Sequence, residues 1–302
     1  MQERCAFEKK EQREAAQRRP QPVPQTPIMP FPPSSDAMTE ILTARRRFPA
    51  GLTQPAECAR FGMDALLLAA FAAQTLPATP RRKQGPFLEL GCGSGAALLA
   101  VALLREGVPG LGVERAAPLT IAARENIRRL GLAERLEILE GTLPDRDCLR
   151  HCREWLLRQC GSEGAGLIFA NPPYWEQHEG RASPHALAES ARRGNGTTLY
   201  DFCRSAAALL RHKGFFCCIY DARALPRLME ACARHHLGIR RLLPVHPRAG
   251  EPAVRLLLEA RKDAAHDILL EEALYLHPSQ HDTGARWTAQ ALRFCPFLGS
   301  TS

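Results

Sequence analysis

No stretch of this 302-residue chain runs for roughly 18 apolar residues, so no membrane span is expected. Behind Met1 no apolar segment follows a basic one, which excludes a recognisable secretory leader and makes a cytoplasmic location the expectation. The eleven cysteines show neither a disulfide-framework spacing nor paired CxxC spacings. Cys92, Cys217 and Cys218 fall inside strand-like runs, so reduced, mostly buried thiols are expected. Cys148, His151, Cys152 and Cys160 lie close together, but in a helical pattern without the spacing of a zinc site, and no metal is expected. No internal repeat is visible, which removes the solenoid architectures.

What the chain does have is 45% apolar residues, enough for a sizeable core. Its formal charge of +8 and pI near 9.1 favour a polyanionic partner.

Residues 1–36 mix charged residues and glutamine with the proline-dense "RPQPVPQTPIMPFPPSS", which buries too little apolar surface to order itself and reads as a tail. Residues 37–299 are expected to form a single domain, with a helical lead-in over 37–84 and a core over 85–299. In the lead-in, "RFGMDALLLAAFAAQTL" reads as a buried helix with Asp64 at its N-cap. Apolar strands, "FLEL", "GLGVER", "RLEILEG", "AGLIFA" and "GFFCCIY", then alternate with helical segments. "IRRLLPV" and "AVRLLLEAR" are joined too closely for a crossover helix, so the last strand should run antiparallel. The expected fold is α/β and Rossmann-like: a mostly parallel seven-stranded sheet with helices on both faces. Residues 175–198 form a polar loop longer than a connection needs.

"LELGCGSG" sets Gly91, Gly93 and Gly95 between a strand and a helix, where a tight turn exposes helix N-terminal amides to a ligand. Glu114, ending the second strand, is placed to hold ribose hydroxyls. Gly91, Gly93 and Ala96 also satisfy the dinucleotide pattern. Glu89 tilts the reading away from a pyrophosphate: a carboxylate there suits a cationic ligand group, and S-adenosylmethionine carries an ammonium, a sulfonium and no phosphate.

Directly after the fourth strand comes "NPPY", residues 171–174. An exocyclic amine or carboxamide is a poor nucleophile because its lone pair is delocalised. The Asn171 side-chain oxygen and the Pro172 carbonyl can each accept one of its hydrogens, localising that lone pair on nitrogen. Pro172 and Pro173 stiffen the loop and offer no competing N–H, and Tyr174 offers a stacking face. By composition such a string arises by chance in on the order of one chain in a thousand.

Together "LELGCGSG", "GVER" and "NPPY" resemble the Rossmann-like class I amino-methyltransferases. With "RFGMDALLLAAFA" ahead of them, and "ES", "TTLYDFCRSAAALL" and "VRLLLEARK" behind, the chain is similar over roughly residues 45–295 to the bacterial tRNA1(Val) (adenine-N6)-methyltransferase family. The resemblance implies N6-methylation of an adenine beside the anticodon by S-adenosylmethionine. Asn171, Pro172, Pro173 and Tyr174 would hold the base, and Glu89, Gly91, Gly93, Gly95 and Glu114 the cofactor. Asp64 is implied near the cofactor's methionine end, beside its other reading as a helix cap. The chain departs from the pattern after the third strand, where Glu140-Gly141-Thr142 stands in place of an Asp that reads the cofactor's adenine, with Thr142 the candidate there. "HPSQHDTGARW" lacks the expected aromatic–hydroxyl pair, and the proline-rich extension has no counterpart.

The expected partner is tRNA at its anticodon loop, whose bases are cheap to extrude, with Arg45, Arg46, Arg47, Arg181, Arg192 and Arg193 as candidate phosphate contacts. The alternative acceptor is another planar amine, a ribosomal RNA base or a protein glutamine carboxamide. A non-catalytic RNA-binding module and an oxidoreductase are the rivals from other classes.

Overall fold

The computed structural model describes residues 35–76, 85–173, 197–279 and 285–300. The chain divides into two compact units, residues 1–38 and 39–302, and of the first only residues 35–38 are described. They open helix α1, Ser35–Arg47.

Apolar residues surround helix α2, Met63–Thr75, so it has no face to offer water, and every residue from Ala65 through Ala73 is buried. Burying each leucine there stabilises by about 1.5–3 kcal/mol relative to exposure. The strands β1 (Phe87–Leu90), β2 (Gly110–Glu114), β3 (Leu136–Glu140), β4 (Ala165–Ala170) and β5 (Leu210–Asp221) alternate with α3 (Ala96–Leu104), α4 (Ala117–Arg129), α5 (Arg146–Cys160) and α6 (Leu199–Leu209). Local chemistry sets several boundaries. Asp145 caps α5 by accepting from Asp147 N at 3.0 Å, and Gly161 closes it with φ of 60°. Thr198 and Asp201 form a capping box on α6. After β5 come α7 (Leu225–Arg234), β6 (Leu237–His246), β7 (Arg255–Lys262), the two-residue strands β8 (Leu269–Leu270) and β9 (Leu274–Tyr275), and α8 (Ala289–Phe294).

Strand order is β3-β2-β1-β4-β5-β7-β6-β8, with β9 also on β6. β7 enters antiparallel between β5 and β6, as its short connection requires. It is not the last strand, however. β8 and β9 extend the sheet to nine strands, both parallel to β6, and two-residue strands carry too little periodicity to be read from sequence.

Alternate residues feed two cores. Phe87, Leu167, Phe169, Cys217 and Ile219 pack with α2 and α3 on one face of the sheet. Leu88, Leu90, Ile168, Phe216 and Cys218 pack with α5, α6 and α7 on the other. The register Glu89↔Phe169 and Phe169↔Cys217 puts Glu89 on the α2 face. The nine described cysteines are free thiols, eight of them buried. Among the described residues no helix is long and apolar enough to cross a membrane, and no three His, Cys, Asp or Glu side chains converge to hold a metal.

Candidate active site

β1 and β4 are paired neighbours, yet the chain leaves them in opposite directions: β1 leads through α3 to β2, and β4 leads to β5 on the far side. A parallel sheet opens a crevice beyond its carboxyl edge at such a reversal. Leu90 is in register with Ala170, so Gly91 and Asn171 are the first residues beyond two adjacent strand ends. The glycine turn and the Asn-Pro-Pro stretch, about 80 residues apart in sequence, therefore border one crevice. Asn171 is half-buried, Pro172 buried and Pro173 exposed. Tyr174, Arg181, Arg192 and Arg193 lie outside the described residues.

Residues 91–95 fold back over β2. Gly91 N and Cys92 N both donate to Val113 O, at 2.8 and 3.0 Å. Gly93 has φ of 54°, and a Cβ built on it would meet nothing within 4 Å. Glycine is required there by the left-handed backbone and leaves an open surface. A Cβ on Gly91, φ of 73°, would press on the Phe202 ring at 3.2 Å.

The Glu114 carboxylate organises this turn. Oε2 accepts from Gly93 N at 2.9 Å, and Oε1 accepts from Arg115 N and Ala116 N, both at 2.9 Å. Three amides fix the group and leave one acceptor site on Oε2.

Glu89 is 3% exposed, and its Oε2 has no hydrogen-bond partner. Burial pushes its carboxyl well above the ordinary range; the Leu98 backbone amide pulls it down, and the Glu114 charge adds to the rise. A buried carboxylate oxygen without a partner is what a cationic ligand group would satisfy.

Asp64 departs from its expected position. Gly62 is the N-cap of α2, and Asp64 sits inside the first turn with Oδ2 accepting from Arg255 Nε at 2.8 Å. Arg255 opens β7 opposite Asp221, three residues beyond the level of Ala170, so this ion pair stands at the carboxyl edge of the sheet. As the second helical residue Asp64 is not in the extended conformation of an N-cap, and its carboxylate meets Arg255 instead. Thr142 follows β3; its carbonyl accepts from Asp145 N, and the preceding Gly141 N donates to Glu114 O at 2.9 Å. Arg45 donates to the carbonyls of Leu130 and Gly131, whereas Arg46 and Arg47 are exposed.

Asn126 was not legible as part of this site. Fully buried, it donates from Nδ2 to Thr53 O and Ser94 O, each at 3.0 Å, and accepts from Thr53 N at 2.8 Å. It thus ties the lead-in to the glycine turn. The available signal was an Asn on the apolar stripe of α4, alongside Ala123 and Ile127.

No family model matches the chain. It is 30% identical over 200 residues to the tRNA1(Val) (adenine(37)-N6)-methyltransferase of Erwinia tasmaniensis, an alignment covering 66% of this chain and 74% of that protein. The chain belongs to the tRNA1(Val) (adenine(37)-N6)-methyltransferase family. The release factor glutamine methyltransferase of Caulobacter vibrioides is 34% identical over 101 residues, 33% of this chain, and the chain spans 30% of that relative's length. A crystal structure described as a predicted O-methyltransferase from Agrobacterium tumefaciens superposes with a TM-score of 0.56 at 24% identity, over 78% of this chain and 96% of that one, and shows the fold. Membership of this methyltransferase family and the shared fold support methyl-transfer chemistry.

Proposed function

We propose that this tRNA1(Val) methyltransferase family member methylates N6 of an adenine in the anticodon loop of a tRNA. The observation that carries the reading is the adjacency of Asn171 and Gly91 across the β1–β4 register.

S-adenosyl-L-methionine is the methyl donor, supplying when bound an electrophilic methyl on sulfur. The residues fit such a group: the partnerless Glu89 oxygen suits its ammonium, the remaining Glu114 site a ribose hydroxyl, and the open turn at Gly93 a close approach. Gly91 and Gly95 complete the turn, and Asp64 and Thr142 are further candidate contacts to the cofactor. On the acceptor side, Asn171 Oδ1 and the Pro172 carbonyl accept the two hydrogens of the adenine amine and turn its lone pair toward the donor. Pro173 holds the loop, and Tyr174 stacks on the base. No strong base is required, because the amine becomes acidic once alkylated. Loop nucleotides suit this arrangement because unstacking them costs least.

Incubation with tritiated S-adenosylmethionine and total tRNA from a strain lacking the gene tests the reading. Label recovered as N6-methyladenosine in one tRNA is the expected result. Label in a protein fraction as methylglutamine, the acceptor named for the Caulobacter relative, or in ribosomal RNA alone, would overturn the tRNA assignment.

A further inference from the structure

β6 runs parallel to β4 and ends, at His246, on the same edge of the sheet as Asn171. His246 is in register with Tyr275 on β9, and their rings lie 5.3 Å apart at 49°. Two residues on, His277 stacks on Trp287, with centroids 4.8 Å apart and planes 22° apart, and the Arg286 guanidinium lies 5.1 Å from the Trp287 ring centre. The four rings are half-buried and Arg286 is exposed. Backbone carbonyls fix both imidazoles: His246 Nδ1 donates to Glu251 O at 2.6 Å, and His277 Nδ1 to Arg286 O at 2.7 Å. Each Nε2 is left as the ring's other polar edge.

Trp287 packs in part against the core, and backbone and polar bonds also hold the segment. Leu276 N donates to His246 O, His277 N to Pro247 O, Thr288 Oγ1 to Tyr275 O and Gln290 Nε2 to Ala273 O. Fixed, half-exposed rings beside a guanidinium plane are what an unpaired base stacks on, and the net charge of +8 suits the backbone that carries it.

We infer that His246, Tyr275, His277, Trp287 and Arg286 form a second nucleotide subsite, a stacking shelf for an unpaired base of the substrate RNA; the inference rests on the tRNA reading above. His246 ends β6, three strand spacings from β4 across β5 and β7, and Tyr275 on β9 lies one spacing further, so the shelf extends from about 14 to about 19 Å from β4. A stacked strand rising about 3.4 Å per nucleotide covers that span in about four to six nucleotides. The shelf therefore takes a loop base about four to six positions from the one at Asn171, and it favours substrates with an open loop over duplex RNA.

The test measures binding of an anticodon stem-loop oligoribonucleotide and methylation of whole tRNA by the full chain, with His277→Ala, Trp287→Leu and Trp287→Phe. His277→Ala and Trp287→Leu should weaken RNA binding by about 5- to 100-fold and raise KM for tRNA alike, with kcat within about twofold. The slope of log affinity against log salt should stay unchanged, because no phosphate contact is lost. Trp287→Phe should recover most of the loss. The melting shift produced by S-adenosylhomocysteine should match wild type in each variant; if Trp287→Leu fails to fold, His277→Ala decides. Wild-type methylation of tRNA with unaltered binding by His277→Ala would overturn the shelf and leave the function standing. A wild-type protein that neither binds nor methylates the RNA would overturn the tRNA reading, and the shelf with it.

Discussion

At the scale of single residues, two side chains separate acceptor from donor. In the proposed mechanism Asn171→Ala removes one of the two acceptors of the amine's hydrogens and leaves Glu89, Glu114 and the glycines unchanged. It should lower kcat by about 100-fold or more, by analogy with removal of one preorganised polar group. Affinity for S-adenosylhomocysteine should stay within about twofold, measured calorimetrically. Glu89 is the converse case. Its folded-state value lies above the ordinary 4.5, so ionisation disfavours the ligand-free fold. Its stability contribution is fully present below 4.5 and is lost as pH rises from there through the raised value. Ligand-free Glu89→Gln should therefore melt above wild type at neutral pH, the gap closing as pH falls toward 4.5. The melting shift given by S-adenosylhomocysteine should shrink in the variant, because an amide cannot offset an ammonium. A gap independent of pH would count against a buried, ionisable Glu89.

Between elements, the lead-in, α4 and the glycine turn meet at Asn126. Its three hydrogen bonds hold Thr53 N, Thr53 O and Ser94 O, and Arg129 adds a donation to Gly51 O at 2.7 Å. Asn126→Ala should cost about 2–3 kcal/mol in urea unfolding, since unsatisfied buried groups cost more than a bond contributes. It should also weaken cofactor binding more than substitution of exposed Arg46, because Ser94 sits inside the turn. A second connection joins α2 to the sheet. Glu259, 6% exposed on β7, accepts from Thr75 Oγ1 at 2.9 Å and Arg241 Nη1 at 3.1 Å. Such a pair fixes how α2 sits on the strands more than it adds stability.

For the molecule as a whole, charge and topology act at different ranges. An excess of +8 attracts a polyanion over about a Debye length, roughly 8 Å at physiological salt. Affinity for tRNA should fall steeply between 50 and about 200 mM salt, with each phosphate contact contributing a slope of about −0.7 to −0.9. Affinity for S-adenosylhomocysteine should change little across the same range, because Glu89 and Glu114, its proposed charged contacts, are buried. Equal salt dependence for the two ligands would argue that RNA is not held through its phosphates.

Sequence alone determined the alternating strand–helix order, the glycine turn, Glu114 at the end of β2 and the Asn-Pro-Pro stretch at the end of β4. Each is a local pattern, fixed by period, turn chemistry or a short motif. Only the tertiary structure decided that β4 lies beside β1, which brings Asn171 to Gly91. It alone decided that Asp64 pairs with Arg255, that Arg45 binds backbone carbonyls, and that Asn126 joins two segments. It also brought together the rings beyond β6. All of these depend on partners tens to nearly two hundred residues apart, and no local periodicity records a pairing at that separation.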